Sequence, residues 1–336
     1  CGRKELPTDI PGFEAASEAA TEAAETTAAT ETAAETAESS AAEVTTPSVD
    51  RSGNEIVVPE NVETIVSLAP STTRILIDLG LADKIIAIDT YSLDYSADLN
   101  ADLPTFDMMA PDQEQIVALK PDVVFTTGMS SYEGVDAFQG VRDAGVCVAD
   151  IPSSASLDDI MQDILFIGEV TGETEGAQDL VDAMKSTIDA LSEIGSSISD
   201  DEKKTVLFEL YTPSADYPTI YTAGPGTYID EMMSLIGAVN IAGEEDSQWP
   251  ALSEEAAVGA NPDVILTADM YTPDVINVIL TMEGWGEVTA IKDQAVYELD
   301  SNSVNQPNHH VVSAMVAMAK AIYPEQYADV TDPFEN

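Results

Sequence analysis

Positive charge is scarce in this sequence. Twelve Lys and Arg stand against 62 Asp and Glu, a formal net charge of −50 over 336 residues. So acidic a surface repels phosphate backbones, which excludes nucleic acid as a partner. It also leaves no basic patch to hold the chain on anionic lipid. Cysteine is confined to Cys1 and Cys147, too few for a disulfide framework. Cys147, in the run Val146-Cys147-Val148-Ala149, reads as a small residue of a buried strand. No apolar run reaches the ~18 residues of a transmembrane helix. The G-x-S-x-G, H-E-x-x-H, G-x-x-x-x-G-K and C-x-x-C motifs are all missing, and Gly224-Pro225-Gly226 lacks the third glycine of a dinucleotide fingerprint. These absences point away from an enzyme. Carboxylates are abundant, so a surface hydrolase or chelatase stands as the alternative class.

What is present begins with Cys1, followed by Gly2, Arg3 and Lys4. A chain opening on cysteine reads as a processed lipoprotein, with a lipid on Cys1 holding it to the outer face of the cell membrane. Residues 12–49 contain eight Glu and no Lys or Arg in an Ala/Thr/Ser background. With no apolar stripe to bury, this segment is expected to be a disordered tether. The first fifty residues hold 11 acidic and 2 basic side chains, so of the −50 the remainder carries −41.

From about residue 55 onward, short β-branched runs alternate with amphipathic stretches. Strands are expected near 64–68, 85–88, 123–125 and 146–149, then near 205–210, 219–221, 264–266 and 295–299. Helices are expected over 72–79, 112–119, 228–236, 254–257 and 311–322. Between the two halves Ala177, Leu180, Val181, Met184, Ile188, Leu191 and Ile194 recur at steps of three and four, one amphipathic helix of about six turns. The fold class read from this pattern is α/β: two Rossmann-like parallel-sheet lobes bridged by a single long α-helix and preceded by the tether. The boundaries are 1–54 for the tether, 55–155 for the first lobe, 156–200 for the connecting segment and 201–336 for the second lobe.

In open parallel sheets, ligands sit beyond the carboxyl ends of the strands. That rule nominates the loops at 69–72, 90–92 and 126–129 in the first lobe. In the second it nominates Tyr211-Thr212, Asp269-Met270-Tyr271 and 301–310. They are rich in Met, Tyr and hydroxyls and nearly empty of Lys and Arg. Such a lining suits a large, flat, partly apolar ligand rather than a highly anionic one.

Three blocks carry a family resemblance. Val66-Ser67-Leu68-Ala69-Pro70-Ser71-Thr72-Thr73 is followed by Glu114-Gln115-Ile116-Val117-Ala118-Leu119-Lys120-Pro121-Asp122-Val123-Val124. The third is Trp249-Pro250-Ala251-Leu252-Ser253-Glu254-Glu255 with Asn261-Pro262-Asp263-Val264-Ile265. In this order they resemble the metal-chelate substrate-binding proteins of ABC importers for ferric siderophores, haem and cobalamin. The resemblance implies two lobes joined by a rigid helix, a monomer with no cofactor of its own, and a permease with its ATPase as partner. The bound ligand would be a metal chelate, with a tetrapyrrole as the first reading and a ferric siderophore as the alternative.

Tyr91, Met108, Met109, Met129, Tyr211, Trp249, Met270, Tyr271 and His309 are the expected ligand contacts. In haem-binding relatives a Met in a Met-Ala-Pro context similar to Met109-Ala110-Pro111 is axial to the iron, and Met270 falls near the opposing position. The other reading has these methionines packing loops. Tyr91-Ser92-Leu93-Asp94-Tyr95 and Trp249-Pro250 resemble segments of cobalamin binders instead. His309 and His310 lie where relatives often carry Pro-Arg, and neighbours on a helix diverge by about 100°, so both are not expected on one metal. The family's docking glutamate on the first helix is replaced by Arg74, and its counterpart by Ser234. Asp78 and Glu231 are therefore the expected substitutes for permease docking.

Overall fold

The structure, a computed structural model, describes residues 45–335 apart from 101, 129, 130 and 133. Cys1, the tether through residue 44 and the expected contact Met129 lie outside the described residues. In the first lobe β1 (Ile65–Ser67), β2 (Ile85–Asp89), β3 (Thr105–Phe106), β4 (Val123–Thr127) and β5 (Cys147–Ile151) form one parallel sheet. Its order is β3-β2-β1-β4-β5. Ile65, Val66, Val123, Val124 and Phe125 are wholly buried, as a parallel sheet covered on both faces requires. The second lobe repeats the plan with β6 (Thr205–Glu209), β7 (Val239–Asn240), β8 (Val264–Thr267) and β9 (Val296–Glu298), all parallel in the order β7-β6-β8-β9. The strand expected near 219–221 exists as Ile220–Tyr221 but pairs antiparallel with Ala251–Leu252, outside this sheet.

The Pro-Asp-Val step does the same work in each lobe. Asp122, ahead of β4, accepts the backbone N–H groups of Glu63 and Thr64 at 2.8 and 2.9 Å and so fixes the start of β1. Asp263, ahead of β8, accepts the Thr205 N–H at 2.9 Å and fixes the start of β6. These carboxylates are structural, tying each central strand to its neighbour.

Residues 48–56, assigned to the tether as far as 54, belong to the body. The Ile56 N–H donates to the Ser48 carbonyl, and the buried Asp50 carboxylate receives the Asp150 N–H at 2.9 Å on β5. Arg51 reaches Asp163 at 2.7 Å.

The first lobe's leading helix is α1 (Pro70–Asp78), opened by proline at its first turn. The connecting segment 156–200 holds α2 (Leu157–Thr171) and α3 (Thr174–Ser197), joined across a left-handed Gly172. The two pack on each other, and α2 also touches α1. The longer α3 is the expected spine, 24 residues or about 36 Å, and it lies on α4 (Tyr228–Leu235) and α5 (Val311–Ile322) of the second lobe. One continuous core cluster runs through both lobes and the spine.

At the spine's closest approach a Cβ on Gly195 would lie 2.0 Å from the Leu235 carbonyl oxygen. Gly→Ala in a free helix gains about 1 kcal/mol. Here the clash is with backbone that cannot swing aside, so Gly195→Ala is expected to cost about 1–3 kcal/mol net. The denaturant midpoint should fall; a midpoint unchanged or raised would contradict this packing.

Candidate functional site

Each lobe holds its strand-end loop with an aspartate. At the end of β2 the buried Asp89 carboxylate accepts the N–H groups of Tyr91 and Ser92 at 2.8 and 3.1 Å and the Ser92 hydroxyl at 2.5 Å. Burial raises the pKa of Asp89 despite these bonds. Ser92 continues to Thr73 at 3.1 Å, and Thr73 to Ser67 at 2.8 Å, which locks the loop to α1 and β1. Tyr91 is thereby left exposed beside Leu93.

Asp269, beyond β8, plays the equivalent part. It accepts the N–H groups of Thr212, Tyr271 and Thr272 and the Thr272 hydroxyl, at 2.6–3.2 Å. Against the cost of burial, the bonds from Thr272 and Thr212 hold its pKa below the usual range. The turn presents Met270 and Tyr271, the latter 74% exposed, and stacks Tyr271 on Tyr211 with centroids 6.4 Å apart and planes at 21°. Trp249 sits half-buried against the main core, on the segment leading to Ala251–Leu252.

Three expectations need correction. Met108 does not face an open wall: it is 5% exposed and packs with Phe106, Ile116 and Phe138. The Asp107 carboxylate takes the N–H of Met109 at 2.8 Å, a turn that sends the two methionines apart and leaves Met109 47% exposed. His309 is not on an open wall either, being fully buried. Nor do the two histidines diverge. Helix α5 starts at Val311, so His310 is its cap rather than part of it, and both imidazole Nε2 atoms converge on Asp78 Oδ2, at 2.5 and 2.8 Å.

Asp78 and Glu231 are both engaged at the seam between lobes and are not free surface acids. Besides the imidazoles, Asp78 receives Arg74 at 3.0 Å. Against burial, the hydrogen bonds of His309 and His310 and the charge of Arg74 hold its pKa well below the carboxylate range. Glu231 accepts the Leu157 N–H at 2.8 Å, satisfying an orphan donor at the start of α2.

The seam opens on a pocket of about 370 Å³ whose lining includes Arg74, Tyr95, Asp98, Asp300, His310 and Phe334. Asp94 and Asp332 also face it, and Arg74 is its single Lys or Arg. Arg74 lies over the Tyr95 ring at 5.7 Å and reaches Asp98 at 3.5 Å. The Tyr95 hydroxyl bonds to Gln306 of the second lobe.

Sequence reasoning passed over Glu209, the last residue of β6. It is fully buried, and neither carboxyl oxygen has a partner. Burial and the nearby Asp269 and Glu254 push its pKa up to about 8. The strand-end rule stops two residues short of it, at Tyr211; an acid closing an apolar strand was the available signal.

The family described as periplasmic binding protein matches residues 65–303. The chain belongs to that family. The family's two-lobed fold also appears in the molybdate-bound MolA structure from Haemophilus influenzae, with TM-score 0.70 and 24% identity over 84% of this chain and 92% of that one. Among family relatives, the uncharacterized ABC transporter substrate-binding lipoprotein YvrC of Bacillus subtilis is 31% identical over 83% of this chain and 86% of its own. A cobalamin-binding protein of Halobacterium salinarum is 26% identical over 83% of this chain and 74% of its own. Among the described residues, no helix is long and apolar enough to cross a membrane.

Proposed function

We propose that this periplasmic binding protein captures a corrinoid outside the cytoplasm, held to the membrane by a lipid on Cys1, and delivers it unchanged to an ABC permease and its ATPase. The observation that carries the ligand class is the chemistry of the strand ends. They present Tyr91, Met109, Met270 and the Tyr211–Tyr271 stack, broad apolar and aromatic surface for a flat ring. The neighbouring pocket sets Asp94, Asp98, Asp300 and Asp332 against Arg74 alone. That balance opposes an oxyanion or a catecholate chelate, which needs clustered cations, and it disfavours the two propionates of haem. A near-neutral corrinoid meets no such penalty. The likeness to the Halobacterium cobalamin-binding protein supports the same choice.

Calorimetric titration of the full chain with cyanocobalamin, haemin and molybdate in turn tests the reading. Saturable one-to-one binding of cyanocobalamin and none of molybdate is expected. Molybdate or haemin binding without cyanocobalamin would overturn it.

Haem is the second reading, favoured by the exposed thioethers of Met109 and Met270, one from each lobe. Met109→Ala separates the two. With a corrinoid, whose cobalt brings its own axial groups, the substitution should weaken binding by about 1–2 kcal/mol of lost contact and leave the cobalt spectrum unchanged. With haem it should shift the Soret band through loss of an axial donor.

A further inference from the structure

The cluster where α1 meets the start of α5 has a second chemistry available. We infer that Asp78, His309 and His310 form a site for one divalent transition-metal ion of the zinc, cobalt and nickel class, distinct from the organic ligand's surface. One donor atom from each residue lies within 4.8 Å of the others. Both imidazole Nε2 atoms face the same carboxylate oxygen, at 2.5 and 2.8 Å. Zinc-like ions hold such donors at about 2.0–2.2 Å, which sets neighbouring donors roughly 3.2–3.5 Å apart. The two carboxylate–imidazole distances need open by less than about 1 Å to admit an ion, leaving a fourth position toward the pocket.

Hydrogen bonding alone leaves the cluster unfinished. His310 Nε2 lies 2.8 Å from Asp78 Oδ2 and 3.2 Å from Arg74 Nε. One ring nitrogen cannot donate to the carboxylate and accept from the guanidinium at once. The buried His309 Nδ1 has no partner, and neither has Asn308 Nδ2 or Ser313 Oγ beside it. A metal takes lone pairs from both Nε2 atoms and removes the conflict.

The surroundings favour a cation. Asp94, Asp98, Asp300 and Asp332 line the pocket that leads to His310, and a cleft of one sign concentrates counter-ions. Phe334 packs edge-on against His309 at 4.9 Å and tilted against His310 at 5.8 Å, covering the rings. Arg74 is the opposing element, a built-in competitor whose guanidinium stands where the ion would enter. Asp98, 3.5 Å away, is positioned to receive it when displaced. An ion here would tie the first lobe's α1 to the second lobe's α5.

The test uses the full chain, stripped with a chelator and titrated with Co²⁺ in excess Mg²⁺, which saturates the surface carboxylates. One Co²⁺ per chain with the visible bands of four-coordinate, imidazole-bound cobalt, displaced by Zn²⁺, is expected. His310→Ala should weaken Co²⁺ binding at least tenfold, and Arg74→Ala should strengthen it. His309 is buried, so its variants can fail to fold; His310→Ala and Asp78→Asn carry the test, with circular dichroism reporting on their folding. Absence of those bands, or a Co²⁺ affinity unchanged in both folded variants, overturns the site. No corrinoid is present, so the outcome is independent of the ligand reading.

Discussion

Melting temperature should climb steeply with salt, by on the order of 10 °C between about 0.1 and 1 M KCl, as the Debye length contracts from about 10 to 3 Å. The cause is self-repulsion. Of the net charge of −50, the −41 carried beyond the first fifty residues is concentrated when the chain folds and spread out when it unfolds. Local pairing offers little relief, because cations are few and most of those described are already paired, among them Arg51 to Asp163, Arg142 to Asp136, Lys185 to Asp189 and Lys292 to Glu287. The two lysine pairs are exposed and contribute little even before screening. Potassium is the screening counter-ion, and chloride is the right anion to bring with it, since sulfate would strengthen apolar burial and confuse the cause. A melting temperature flat or falling with KCl, measured by calorimetry, would contradict the repulsion account.

Glu209→Gln should raise stability at pH 8 by on the order of a few kcal/mol and flatten its pH dependence. The folded-state pKa, pushed up to about 8 by burial and by Asp269 and Glu254, lies above the ordinary value of 4.5. Below 4.5 both folded and unfolded chains carry the proton, and its stabilising share is fully present. From 4.5 to 8 the unfolded chain releases the proton while the folded chain keeps it, so stability falls as pH rises. Above 8 both are ionised and the loss levels off. Glutamine fills the same space and cannot ionise. Urea midpoints across this range, compared between wild type and variant, read the effect. Parallel curves would mean that Glu209 does not titrate between 4.5 and 8 in the folded protein.

The central strands were legible because parallel strands buried on both faces read as near-continuous apolar runs rich in β-branched residues, as β1, β4, β6 and β8 do. The edge strands Thr105–Phe106 and Val239–Asn240 were not, since two residues carry no period. The strand-end rule, which needs only topology, nominated Tyr91, Tyr211, Met270 and Tyr271, and they sit on the loops after β2, β6 and β8. Telling Met108 from Met109 needed the turn made by Asp107, which no pattern of two adjacent methionines reveals. The meeting of Asp78 with His309 spans 231 residues and depends on how the lobes close on each other. A helix period extended back through His309 and His310 pointed the wrong way, because the helix begins one residue later.

The central claim is that the protein holds an intact corrinoid on the strand-end surface shared by its lobes. Its most direct test is gel filtration of the full chain with cyanocobalamin in high salt, followed by release and analysis of the bound pigment. The account predicts one equivalent of chemically unaltered cyanocobalamin co-eluting with the wild type, and much less with Tyr91→Ala combined with Tyr271→Ala. Free protein eluting without pigment, or recovery of an altered corrinoid, would contradict it.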